Sequence, residues 1–89
     1  MDFDAVFEKL YPSVFRYLHR LTGDEDVAED IAQEAFVRLL KQPLPEDEVR
    51  PWVFTVAMNL VRDRARKTER RHRLLNTAQS LTDQLATGP

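Results

Sequence analysis

The sequence predicts an all-α fold: a compact bundle of three main helices, the third long and basic. Three observations carry this. Apolar residues recur at three- and four-residue steps in three separate segments. Strong breakers divide those segments: Gly23 after the first, Pro43 and Pro45 after the second. No stretch alternates apolar and polar residues as a half-buried strand does. At 89 residues the chain makes one small domain with a modest core.

The first helix is expected over residues 3–21. Phe3, Phe7, Leu10, Val14, Leu18 and Leu21 form its stripe, widened by Val6, Phe15 and Tyr17. Asp2 or Asp4 can cap its start, and Gly23 after Thr22 is a stop. Pro12 lies inside this segment and is expected to kink or split the helix near Tyr11, because proline removes a backbone donor.

The second helix is expected over residues 25–41, with Asp24 as N-cap and Glu25 and Asp26 in the first turn. Val27, Ala28, Ile31, Ala35, Leu39 and Leu40 give its buried side. Pro43 and Pro45 then open a loop, taken as residues 42–51.

The third helix is expected over residues 50–75, with Pro51 in its first turn, where the missing N–H is not needed. Trp52, Val53, Val56, Ala57, Leu60 and Val61 form the apolar stripe, so Trp52 reads as core. Beyond Val61 the stripe fades, and Arg62, Arg64, Arg66, Lys67, Arg70, Arg71 and Arg73 crowd into twelve residues. A core half thus aims a cationic arm, a combination suited to phosphate. The blander account is a solvated face whose cations complement the helix dipole. Residues 76–89 are polar with scattered leucines; they read as linker, or as a weak extension on Leu74, Ala78, Leu81 and Leu85.

The net charge of −2 conceals a division. Residues 1–49 hold twelve acids against five bases, and residues 50–75 hold eight bases against two acids. Two different partners would account for this polarity. The chain has no cysteine, and His19 and His72 lack ligand-like spacing. No apolar run reaches transmembrane length and no secretory signal opens the chain, so it reads as soluble and intracellular, with no membrane insertion.

Enzyme signatures are absent: no phosphate-binding glycine loop, no nucleophile elbow, no His-Glu-x-x-His. The carboxylate pairs Asp26/Asp30 and Asp30/Glu34 lack the facing Glu-x-x-His motifs of a bundle metal site and read as a solvated acidic face. No catalysis and no cofactor are expected. Asp30, Gln33, Glu34 and Phe36 look instead like a docking surface, although Phe36 borders the buried arc and suits the core equally.

These residues also carry a resemblance. Asp26–Leu40, with Ala28, Glu29, Asp30, Gln33, Glu34 and Phe36 in the pattern A-E-D-x-x-Q-E-x-F, resembles region 2 of bacterial sigma factors of the extracytoplasmic function (ECF) group. So does Trp52–Arg66, with Trp52, Val56, Ala57, Asn59, Asp63 and Arg66 in W-L-x-x-I-A-x-N-x-x-x-D-x-x-R. The N-terminal L-Y-P-S-V-F-R-Y-L-H-R-L-T-G is of the same kind, and the resemblance covers residues 3–75. It implies that Asp30, Gln33 and Glu34, with Phe36, Val37 and Leu40 near the contact, dock on the clamp helices of the RNA polymerase β′ subunit. It implies that the 42–51 loop and the start of the third helix receive a base flipped from the non-template strand of the promoter −10 element, with Asn59 helping to read it. It implies that the arm, through Arg62, Arg66, Lys67, Arg70 and Arg71 beside Asp63, holds DNA backbone phosphates.

An anti-sigma protein is a further implied partner, and a second domain, region 4, would follow beyond residues 76–89. The setting would be the bacterial cytoplasm. Three acids, Glu46, Asp47 and Glu48, sit awkwardly in a DNA-reading loop, and the paired aromatic wedge of housekeeping sigma factors is missing. The acidic helix is expected to lie remote from the DNA face. Two other readings remain: a helix-turn-helix regulator of duplex DNA, and a protein-interaction bundle with no DNA role.

Overall fold

Helix α1 (Phe3–Thr22) starts on Asp2, whose carboxylate accepts from the Ala5 N–H at 3.3 Å. It stops at Gly23, which adopts φ 68° and donates its N–H to the His19 carbonyl at 2.8 Å. Only a residue free of Cβ strain enters that left-handed conformation readily. The computed structural model describes residues 1–86, so the end of the chain (residues 87–89), read as linker, lies outside the described residues. Pro12 does not split α1, which runs unbroken through it. The ring and Glu8, whose carbonyl loses a donor, are both exposed, so water can satisfy the orphan.

Helix α2 (Glu25–Leu40) starts on Asp24, whose side chain accepts from the Asp26 and Val27 N–H groups. It ends on short bonds from Lys41 to Arg38 and Gln42 to Leu39, which use up carbonyls of its last turn. Helix α3 (Glu46–Ala86) departs most from expectation. It begins four residues before Arg50, so the connection shrinks to residues 41–45 and Pro51 lies beyond the first turn. Glu46, Asp47 and Glu48 are that first turn, where acids complement the positive end of the helix dipole. Val49, 2 % exposed, pins the turn to the core. At the other end α3 continues as helix through residues 76–86.

Leu10, Val14 and Leu18 of α1, Ala28, Ile31, Ala32, Ala35, Phe36 and Leu39 of α2, and Val49, Val53, Ala57 and Leu60 of α3 form one core. Phe7 meets Phe36 near the start of α1, while Leu21 shares a groove with Val27 and Val61 at its end. Helices α1 and α2 are therefore antiparallel, and α3 runs alongside α1. Trp52 is half-buried against the core. Two leucines assigned to buried stripes are exposed: Leu21 at 48 % and Leu40 at 60 %. Each lies in the last turn of its helix, past the point where the neighbouring helices cover that side.

From Arg62 to Leu85 every residue of α3 is exposed. The helix projects out of the bundle, and the molecule extends 69 × 23 × 16 Å. Among the described residues no helix is long and apolar enough to cross a membrane.

Candidate functional site

Helix α2 buries one side and turns Asp30, Gln33, Glu34 and Val37 outward on the other. The four share a face because steps of three and four residues bring side chains into line. Gln33 donates to Glu29 Oε1 at 3.2 Å and Glu34 pairs with Arg38 at 3.0 Å. Val37 and Leu40, 50 % and 60 % exposed, lie on the edge nearest α1.

Phe36 is not an exposed anchor. It is 1 % exposed, with its ring edge-on to Phe7 at 5.1 Å and tilted against Tyr11 at 5.8 Å. It forms the floor of a shallow apolar hollow of about 300 Å³ rimmed by Phe3, Phe7, Gln33, Val37 and Leu40. Tyr11 beside it has its phenol pKa raised above 10.0 by burial and, less, by the negative Glu29.

On α3, Asn59, Arg62, Asp63, Arg66, Lys67, Arg70 and Arg71 are all exposed. Their spacing divides the cations into two stripes. Arg62, Arg66, Arg70 and Arg73 continue the side that carries Asn59, which turns away from α2 and, at Asn59 and Arg62, flanks α1. Arg64, Lys67 and Arg71 continue the side that packs on α2. Asp63 sits within 3.9 Å of Arg66, an exposed helical pair worth a few tenths of a kcal/mol at most.

The acidic helix is not remote from the basic arm. Asp30 reaches Arg64 across the α2–α3 interface at 3.8 Å. Glu34, Arg38, Asp63, Arg64 and Lys67 surround one groove floored by Ile31 and Leu60. The two charged surfaces therefore adjoin along this seam, because α2 packs directly on the part of α3 where its cations begin. Only the Arg62 stripe points clear of the acids on α2.

A third feature was not foreseen from the sequence. Where α1 and α3 run side by side, Tyr17, Phe54, Thr55, Met58, Asn59 and Arg62 line a recess of about 310 Å³. Tyr17 and Phe54 meet edge to face at 5.4 Å, and the Tyr17 hydroxyl donates to the Met58 sulfur at 3.8 Å. The Arg50 guanidinium sits over the Phe54 ring, 5.4 Å from its centroid. No local pattern marks this recess, because its walls come from segments far apart in sequence. Among the described residues no group of His, Cys, Asp or Glu is placed to hold a metal ion.

Comparison with known proteins fits this arrangement. The family model described as sigma-70 region 2 matches residues 6–71. The chain is 37 % identical over 87 residues to the ECF RNA polymerase sigma factor SigL of Mycobacterium tuberculosis (strain H37Rv), covering 93 % of this chain and 49 % of that protein. It is 35 % identical over 69 residues to the ECF RNA polymerase sigma factor SigM of Bacillus subtilis (strain 168), covering 75 % of this chain and 42 % of that one. No solved structure matches significantly. The chain spans about half the length of the curated relatives it matches. Its matched span, its three helices and its relatives agree: this chain belongs to the sigma-70 region 2 family, in the ECF group of sigma factors.

Proposed function

We propose that this chain is the part of an ECF-type sigma factor that docks on the RNA polymerase β′ clamp helices and recognises and melts the promoter −10 element, so directing transcription initiation in the bacterial cytoplasm. One observation carries the reading. The acid-rich outer face of α2 (Asp30, Gln33, Glu34, Val37) and the outward cationic stripe of α3 point in different directions from one rigid core. A polymerase and a DNA strand can be held at once by such a body. The α2 face offers carboxylate acceptors beside the apolar rim of Val37 and Leu40, suited to a basic helical partner. The α3 stripe supplies sequence-blind affinity for phosphates. Extruding a promoter base costs a few kcal/mol, offset by contacts to that base and to the strand.

The domain works by binding, with no covalent chemistry of its own. Residues 1–75 form the working unit, and residues 76–89 lead towards a further domain. An anti-sigma protein covering the same faces would hold it inactive.

Calorimetric titration of the purified chain with a β′ clamp-helix fragment tests the reading, beside an Asp30→Ala/Gln33→Ala/Glu34→Ala variant. All three positions are exposed, so the variant should keep the fold. The expected result is binding by the parent chain and none by the variant. A folded parent that does not bind overturns the reading; tight duplex DNA binding by a dimer would then favour the helix-turn-helix alternative.

A further inference from the structure

The end of α3 carries an apolar stripe that nothing in the bundle covers. Leu74, Ala78, Leu81 and Leu85 recur at four- and three-residue steps, and all are exposed. They continue the α2-facing side of α3 beyond Arg64, Lys67 and Arg71. Half of the large exposed apolar side chains among the described residues (Leu74, Leu75, Leu81 and Leu85) fall on this one stretch. A leucine exposed singly needs no explanation, whereas a contiguous row marks a contact surface. A helix projecting alone into water is also marginal, because packing of its apolar face supplies most helical stability.

We infer that this stripe is a pairing surface for a second copy of the same chain, with the two α3 ends antiparallel. Three observations fix the occupant and its direction. First, the row is its own complement when reversed. Leu74 meets Leu85 of the second copy and Ala78 meets Leu81, so one patch serves both copies about a two-fold axis. Second, charge excludes the parallel arrangement. Arg64, Lys67 and Arg71 occupy the same side of α3, and parallel helices about 8–10 Å apart would set each against its twin. Antiparallel pairing about the midpoint of the row puts Arg73 and its twin about 20 Å apart along the axis, beyond the Debye length of about 8–10 Å.

Third, the borders of the row can be buried without orphaning a polar group. The Thr77 and Thr82 hydroxyls donate to the Arg73 and Ala78 carbonyls at 3.0 and 2.9 Å, so each already has its partner within the helix. Gln79 and Asp83 bond each other at 3.0 Å on the outer side. The seam from Leu74 to Leu85 is about 18 Å long and falls short of the roughly 1,200 Å² that stable complexes bury. Pairing is therefore concentration-dependent, half complete near about 100 μM and absent at a few micromolar. The outer face of α2 and the Arg62 stripe point elsewhere, so pairing leaves both open.

Sedimentation equilibrium of the purified chain from about 5 to about 500 μM, a range that brackets the expected midpoint, tests the pairing. The mass should rise from 10.4 kDa towards twice that value. Leu81→Asp, which sets a charge in the seam, should weaken pairing at least about tenfold. Ser80→Asp, the same charge on the opposite side of the helix, should change it less than about threefold. Both positions are exposed, and circular dichroism of the dilute monomer confirms that the variants fold.

The chain has no cysteine, so single nitroxide labels on Ser80→Cys and Thr68→Cys report the direction by pulsed dipolar spectroscopy. Antiparallel pairs place the labels at 80 side by side and those at 68 about 35 Å apart along the axis, at 1.5 Å per residue. Parallel pairs place both sets side by side. A mass that stays at 10.4 kDa throughout or climbs past twice that value overturns the inference. So does a Leu81→Asp chain that pairs like its parent, or a short distance at both labels.

Discussion

Replacing Phe36 separates a core role from a docking role. The side chain is 1 % exposed and packs its ring against Phe7 at 5.1 Å and Tyr11 at 5.8 Å. Truncation of such a buried aromatic costs about 3–5 kcal/mol, through lost transfer energy and the cavity left behind. The two ring contacts contribute about 0.5–1.5 kcal/mol each beyond area, which places Phe36→Ala towards the upper half of that range. A chain of this size has roughly 5–10 kcal/mol of stability, and the projecting part of α3 adds little to it. Phe36→Ala should therefore lower the urea midpoint by about 2 M or more, at an m-value of roughly 1.5 kcal/mol/M. Phe36→Leu, which refills most of the space, should lose about 1 kcal/mol and keep clamp-helix binding. The assay is urea unfolding followed by circular dichroism, with calorimetry on the folded variants. A Phe36→Ala protein that stays within 1 kcal/mol of the parent yet loses its partner would refute the core assignment.

Other consequences can be measured as directly. Gly23→Ala should cost about 1 kcal/mol from backbone strain alone, because φ is 68° and a Cβ there meets nothing within 4 Å; a thermal melt reads it, and an unchanged Tm would contradict the capping argument. Deleting residues 76–89 should leave urea stability within about 0.5 kcal/mol, and amides of 70–85 should exchange far faster than those of 53–60, since every residue of that part of α3 is exposed. The folded-state pKa of Tyr11 lies above its unfolded value of 10.0, so the folded chain holds that proton more tightly. This contribution is complete below pH 10 and is lost as pH rises through the folded pKa; the alkaline loss of stability should be shallower in Tyr11→Phe, and identical pH profiles would exclude the effect.

What could be read from the chain was local and periodic. Asp2, Asp24 and Gly23 bound their helices through bonds made within a few residues, so their roles follow from residue type and position. The three apolar stripes, the acid-then-base polarity and the motif residues from Ala28 to Arg66 were equally open to reading, and with them the fold class and the family. The start of α3 was obscured because three acids and two prolines also describe a loop. Val49 burying itself against the core decides for helix.

The rest belongs to tertiary structure. Phe36 stands on the border of the buried arc of α2, and only the approach of Phe7 and Tyr11 from α1 draws it inside. The acidic and basic surfaces looked separate along the chain, yet α2 packs where the cations of α3 begin, and Asp30 meets Arg64. Tyr17 and Phe54 carry no shared pattern, and the side-by-side course of α1 and α3 alone brings their rings within 5.4 Å. Sequence periodicity states which face of a helix is apolar; which neighbour covers that face, and how far along, is decided by packing three such faces around one small core.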